Sequence, residues 1–356
     1  MSCTASQARN EHRPRTADVS WNPRDAIVAT ASDRTETSAV CQLRYRVYVH
    51  EQGKRPEGID WQRGELSDPL DDSSCLWYAR EGDSVIGTIT QTIVDDDFDL
   101  TRLPAALELE TFPREAGPFG YSSRFAIAPD RRSLWVLPSL ARHSYAHGRM
   151  LGGKFDFMAA NPGRVGMFER IGYVRYTNAP VYSQGVGLLL PMILPATDHA
   201  FLRRIRSPCL AAAVLFHDEP QWREWLLARR PIIDLYYSPE YRRQVRETVL
   251  VQQATLPPDV AEELDALSFV QHFSAGTVLQ QIGDRVTCAF LAFEGKLVTE
   301  RAAEESQVRY APDGVLLADT VIRSETDAVV LCAPEFAISR LRRRHPGHSA
   351  KLDGLI

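Results

Sequence analysis

The stretch Tyr121–Tyr173, YSSRFAIAPDRRSLWVLPSLARHSYAHGRMLGGKFDFMAANPGRVGMFERIGY, limits most strongly what this chain can fold into. Tyr121–Ala128 is a short β-prone run, and Pro129-Asp130 breaks it. The pair Arg131, Arg132 then leads into a helix-patterned segment around Val136–Gly148. A second strand-like run, Phe155–Ala160, is stopped by Asn161-Pro162-Gly163, and a short helix over Arg164–Ile171 ends at Gly172, a residue suited to the left-handed turn that closes helices. Strand, basic turn, helix, strand is the order of a βαβ unit, which can hold a phosphorylated ligand at its helix N-terminus.

The rest of the chain frames that unit. Residues 1–23 are polar and predict a disordered tail. Ala26–Ala29 predicts a first strand, and Thr35–Glu51 an amphipathic helix with Arg44 and Arg46 off its apolar face. Gln52–Ser74, rich in Gly, Pro, Asp and Glu, predicts a long loop. Leu76–Glu81 and Ser84–Val94 predict a hairpin about Glu81-Gly82-Asp83. The acidic run Asp95–Asp99 lacks the spaced oxygen ligands and bend glycine of a calcium loop, so no metal site is predicted. Leu103–Leu109 predicts a short helix, and Arg175–Tyr182 with Gly187–Leu194 a closing strand pair. From Asp198 to Thr255 the pattern is helical, with Trp222, Trp225, Leu226 and Leu227 on one side. Beyond Leu256 the texture turns β-rich, and Gly276, Gly283 and Gly295 fit tight turns.

Composition narrows the setting. A net charge of −5 argues against nucleic acid as the main partner. Six cysteines without CxxC or Cys/His spacing predict reduced thiols and a cytoplasmic location. No apolar run approaches membrane-spanning length.

The order of elements resembles the GNAT superfamily of N-acyltransferases. The residues that carry the likeness are Leu43–Gly53, Ile127–Arg132 with its alanine, proline and arginines, and Pro162 with Met167–Tyr173. Within that superfamily, Ser123–Ile127 (SRFAI) preceded by Glu108–Pro113 (ELETFP), together with Leu188–Pro208, is similar to acyl-homoserine-lactone synthases and long-chain N-acyl amino acid synthases. The C-terminal pattern at Phe273, Ala275, Gly276, Val278, Leu279, Gly283, Asp284, Glu294 and Gly295 resembles cyclic-nucleotide-binding domains. The expected fold is therefore α/β, a GNAT-like mixed sheet with flanking helices over residues 24–197. A helical connector follows over 198–255, and an all-β jelly-roll of the cyclic-nucleotide-binding type over 256–356.

The resemblance implies an acyl thioester as co-substrate, acyl-CoA or an acyl-phosphopantetheine on a carrier protein, with no tightly bound cofactor. It would lie along Phe125, Ala126, Ile127 and Ala128, with its phosphate at Arg131, Arg132 and the amides of Ser133 and Leu134. Leu134 and Trp135 replace the usual glycines of that turn, which suits the single phosphate of a carrier-protein donor. Acid–base candidates are Glu108, Glu110, Tyr121, His143 and Ser122, since the family's glutamate slot falls on Tyr121 and its late-helix tyrosine slot on Phe168. Ser123 and Arg124 are candidate substrate contacts, and Arg124 is alternatively an ion-pair partner of Glu108 or Glu110. The cyclic-nucleotide pocket departs from its family. The ribose glutamate slot is Ala318 and the phosphate arginine slot Glu325 or Thr326, with Arg323 the nearest substitute, so cyclic nucleotides are not expected to bind. Three functions remain open. They are synthesis of an N-acyl amino acid or related amide from a small amine, lysine acetylation regulated by the C-terminal part, and non-catalytic acyl sensing or interaction.

Overall fold

The alternating runs on either side of Gly82 form an antiparallel pair, and a φ of +58° at that glycine turns the chain between them. The computed structural model describes residues 27–132, 135–301 and 318–355; the predicted tail, Ser133 and Leu134 lie outside these. In chain order the first strands are β1 (Ile27–Thr30), β2 (Ile59–Asp60), β3 (Glu65–Leu66), β4 (Ser74–Glu81) and β5 (Ser84–Val94). They are followed by β6 (Phe119–Ile127), β7 (Phe155–Ala160), β8 (Val174–Arg175), β9 (Val181–Ser183) and β10 (Gly187–Pro195). Across the main sheet the order is β1-β4-β5-β6-β7-β10-β8, with β9 also on β10. Every neighbouring pair is antiparallel except β6 and β7. A parallel pair needs a crossover, and α2 (Val136–Met150) supplies it.

The sheet lies between two helices. α1 (Arg34–Tyr45) is capped by Asp33, which accepts from the Glu36 N–H, while Glu36 accepts back from the Ser32 N–H. Its Leu43 packs with Val47, Ala126 and Ala128 on one face of the sheet. On the other face, Val136 and Leu140 of α2 pack with Trp77, Ile86 and Ile89. α2 approaches closely at Gly87, where an added Cβ would come within 2.5 Å of Val136. The helix predicted to Glu51 is α1 continued by a π-helical turn, Arg46–Glu51. Arg44 corrects the prediction: it is fully buried, paired with Asp71 at 2.7 Å and donating to Thr90 Oγ1 at 2.5 Å. The predicted long loop holds the β2–β3 ribbon and buries Leu66 and Leu70. Leu103–Leu109 forms separate 3-10 turns, and the late helix shortens to α3 (Val165–Glu169).

Residues 198–255 are helical: α4 (His199–Arg204), α5 (Leu210–Ala213), α6 (Gln221–Arg229), α7 (Ile232–Tyr237), α8 (Pro239–Arg246) and a π-helical turn, Glu247–Gln253. Trp225 of α6 lies 5.4 Å from Phe112 and 6.3 Å from Phe155, so this stretch packs onto the sheet's own core. The C-terminal part contains α9 (Pro258–Asp265), β11 (Phe269–Phe273), β12 (Val278–Gln280), β13 (Cys288–Glu294), β14 (Leu297–Arg301), β15 (Thr320–Ser324), β16 (Ala328–Pro334), α10 (Glu335–Arg344) and α11 (Ser349–Asp353). Its strands form two antiparallel sheets, β11-β16-β13 and β12-β15-β14. Gly276, Gly283 and Gly295 all take positive φ. The jelly-roll expectation rests partly on residues 302–317, outside the described residues. Among the described residues, no helix is long and apolar enough to cross a membrane.

Candidate active site

β6 and β7 pair only at Gly120–Asp156 and Tyr121–Phe157, and then part. A bulge in β6 accompanies the separation. The register against β5 jumps from Thr88–Ala126 to Thr90–Ser123, leaving Arg124 and Phe125 opposite Ile89 alone. Arg124 sits at φ +49°, in the left-handed region. Bulges bend a strand and re-aim its side chains, and here the bend falls where the sheet opens. The gap is a cavity of about 1090 Å³, lined by Ser122–Ile127 of β6 and Met158–Ala160 of β7. The Phe125 carbonyl accepts from the Tyr48 hydroxyl at 3.0 Å.

One wall is polar. Asp68 pairs with Arg124 Nε at 2.5 Å and accepts from the Leu70 N–H at 2.9 Å. Tyr121 stands close by, its phenol pushed up to about 12 by burial and then by the Asp68 charge. The opposite wall is apolar. Phe125, Leu137, Met158, Phe168 and Ile171 line both the large cavity and a smaller one of about 30 Å³ beneath α2. Asp156 forms part of the inner lining. Its Oδ2 accepts from the Tyr173 hydroxyl, Oδ1 has no hydrogen-bond partner among the described residues, and burial pushes the carboxyl up to about 6. Gly120 makes room for it, because a Cβ there would fall 1.9 Å from Asp156 Oδ1. Gly120→Ala should therefore destabilise the fold by about 1–3 kcal/mol, the usual penalty of overpacking. An unchanged urea midpoint would mean that the carboxylate swings aside.

The mouth of the cavity is basic. Lys54, Arg132 and Arg164 line it. Lys54 is only 9% exposed and has no carboxylate partner among the described residues; its ammonium lies 5.4 Å from the Tyr48 ring centroid. Burial, then the charges of Arg164 and Arg285, push Lys54 down to about 7. Arg164 is lowered by burial and then by Arg132 and Arg285, while Arg132 pairs with Glu51.

Residues 39–195, which contain this site, match the family described as N-acyl amino acid synthase FeeM. The chain is an acyltransferase. Among solved structures, TofI in a ternary complex with an inhibitor and MTA is 20% identical, with 52% of this chain and 99% of that chain covered at a TM-score of 0.41. FeeM, an N-acyl amino acid synthase from uncultured soil microbes, is 15% identical over 50% of this chain and 97% of its own, at a TM-score of 0.41. BjaI, a CoA-dependent acyl-homoserine lactone synthase with SAM and isopentyl-CoA, is 17% identical over 53% and 99%, also at 0.41. No curated protein matches the chain.

In the acyltransferase, Ser123, Arg124, Phe125, Ala126, Ile127, Arg132 and Tyr121 all line the large cavity. Ala128 is buried beneath α1 instead. Arg131 points away from the cavity and pairs with Glu81 at 2.7 Å and Asp130 at 3.0 Å. Glu108 is held by Arg230 and by the Thr177 hydroxyl, and Glu110 is exposed, so neither is at the cavity. His143 donates from Nδ1 to the Ser139 carbonyl within α2, its ring 6.2 Å from that of Trp77. Arg124 pairs with Asp68 rather than with Glu108 or Glu110. Sequence reasoning missed Asp68, Lys54, Asp156 and Arg164. For Asp68 and Arg164 the available signal was an Asp-Pro and an Asn-Pro-Gly turn beside a charged residue. In the C-terminal part Arg323 pairs with Glu300, and Glu325 with Lys296 at 2.5 Å.

Proposed function

We propose that this acyltransferase moves an acyl group from a phosphopantetheine thioester to the amine of a small molecule, making an N-acyl amino acid or related amide. The observation that carries the reading is the parting of β6 and β7 over a cavity with one apolar wall, one charged wall and a basic mouth. Past Tyr121, β6 pairs with no strand on its β7 side among the described residues, so its backbone groups can pair with the amides of an extended pantetheine arm. The acyl chain then runs past Phe125, Leu137, Met158 and Phe168 towards the inner cavity, and the phosphate rests among Lys54, Arg132 and Arg164. This apolar wall exceeds what acetyl needs, which favours a longer acyl chain over lysine acetylation.

The acceptor enters along the charged wall. An amino acid carries an ammonium and a carboxylate, which complement Asp68 and Arg124. Asp68 takes the ammonium proton, and the free amine attacks the thioester carbonyl. Backbone N–H groups of β6 stabilise the oxyanion. The C–N bond forms and the C–S bond breaks. Tyr121, kept protonated by its surroundings, gives its proton to the departing thiolate and takes up the second proton shed by the nitrogen, while the proton on Asp68 leaves to solvent.

The direct test incubates the purified chain with fatty acyl-CoA or acyl carrier protein and an amino-acid mixture, followed by intact-mass analysis. An N-acyl amide supports the reading, whereas thioester binding without turnover supports the non-catalytic alternative. Arg132→Ala with Arg164→Ala should weaken binding of a non-hydrolysable acyl-CoA at least about tenfold, since one charge-assisted contact is worth roughly 1.5–3 kcal/mol. Titration giving equal affinities would remove the phosphate from this mouth.

A further inference from the structure

The basic mouth is not built by the matched segment alone. The chain between β12 and β13 lies against it at three points. Asp284 Oδ2 accepts from the Tyr182 hydroxyl at 2.7 Å, and Arg285 Nη1 donates to the Glu51 carbonyl at 3.4 Å. The Thr287 carbonyl lies 3.1 Å from where a Cβ on Gly163 would stand. Glu51 is three residues before Lys54, and Gly163 adjoins Arg164, so the segment that carries Arg285 is anchored next to two of the cations that line the cavity, although Arg285 is not itself a lining residue. Lys54, Arg132, Arg164 and Arg285 gather here against the carboxylates of Glu51, which pairs with Arg132, and Asp284, which is hydrogen-bonded to Tyr182. Arg55 also lines the cavity, but its guanidinium is turned over the Trp61 ring, 5.4 Å from the centroid. A lysine nine-tenths buried with no carboxylate partner among the described residues, facing a cavity rimmed by further cations, is an arrangement that an anion completes.

We infer that Arg285 of the C-terminal part, together with Lys54, Arg132 and Arg164, forms the site for the donor's phosphate, so that the bound donor ties the C-terminal part to the acyltransferase core. The inference rests on the proposed thioester donor. It gives the C-terminal part a role in substrate binding that needs no cyclic nucleotide. Arg285 also depresses the ammonium of Lys54 and the guanidinium of Arg164, as expected of a charge close to both. The chemistry recognised is a phosphate ester on a pantetheine arm, which coenzyme A and carrier proteins share.

The test titrates three non-hydrolysable probes against the full chain: acyl-CoA, acyl-phosphopantetheine and acyl-pantetheine without phosphate. Arg285→Ala should weaken the two phosphorylated probes about tenfold and leave acyl-pantetheine unchanged, and Arg285→Lys should recover part of the loss. Arg323→Ala, which removes an exposed arginine paired with Glu300 on the same part of the chain, serves as the control and should change nothing. A loss confined to acyl-CoA would put Arg285 at the phosphates of the nucleotide part and overturn the inference of a shared pantetheine-phosphate site. A loss spread equally over all three probes, or a lowered melting temperature with unchanged affinities, makes Arg285 a packing residue and overturns the inference. If the Arg132/Arg164 double variant weakens the phosphorylated probes and Arg285→Ala does not, the inference fails and the donor reading stands. If wild type binds none of the probes, both fall.

Discussion

Arg175→Ala should lower the unfolding free energy by about 3 kcal/mol, the low end of the range for stripping one partner from a buried ion pair. Arg175 is 1% exposed, and three segments converge on it. Its Nε donates to Glu169 at 3.1 Å, and its Nη1 donates to the Val270 carbonyl. The rings of Phe269, Tyr236 and Tyr237 surround the guanidinium at 4.7, 4.8 and 5.2 Å. The variant leaves a buried carbonyl unpaired and opens a space between β8, α7 and β11. Glu169 reaches solvent, which keeps the loss from being larger. Chemical denaturation measures the change. Limited proteolysis should show faster cleavage between the helical stretch and the C-terminal sheets. A midpoint within experimental error of wild type would show that the apolar contacts alone dock the two parts.

The largest effect on activity is expected at Asp68. Asp68→Asn preserves shape and a hydrogen bond to Arg124 but removes the base, so kcat/KM should fall about 100- to 10,000-fold, the usual contribution of general acid–base catalysis. Donor affinity should not change, because the side chain stands on the opposite wall from the acyl slot. The two quantities separate in a single-turnover assay with preloaded thioester. A fall of less than threefold would assign the proton to another group and leave Asp68 as the anchor of Arg124.

The elements with strong local periodicity were legible in the sequence. β7 spans Phe155–Ala160, as the run predicts, and α2 and the hairpin before it follow their apolar patterns. What the sequence hid were distant pairings. Asp68 and Arg124 are separated by 56 positions, and Glu108 meets Arg230 only after the helical stretch folds back. Nothing in the sequence around the candidate Glu108 could reveal that its carboxylate was already engaged. Arg131 and Arg132 are adjacent and chemically identical in the sequence. Only the 3-10 turn Pro129–Arg131 decides that one faces Glu81 outside and the other the cavity. Arg44 shows the same limit, since a polar residue on a helical wheel reads as solvent-facing until a partly buried carboxylate appears opposite it.

The bulge at Arg124 sets the phase of everything downstream in β6. Side chains alternate along a strand, so one extra residue exchanges inside and outside for those that follow. Because of it, Phe125 and Ile127 face α2 with Val136 and Leu140, while Ala126 and Ala128 meet Leu43 and Val47 beneath α1. If β6 instead ran through Arg124 as a regular strand without the bulge, that assignment would reverse. Two bulky side chains would be driven under α1 and two methyl groups left to line the acyl slot, so one amino acid keeps the reading of the two faces in step.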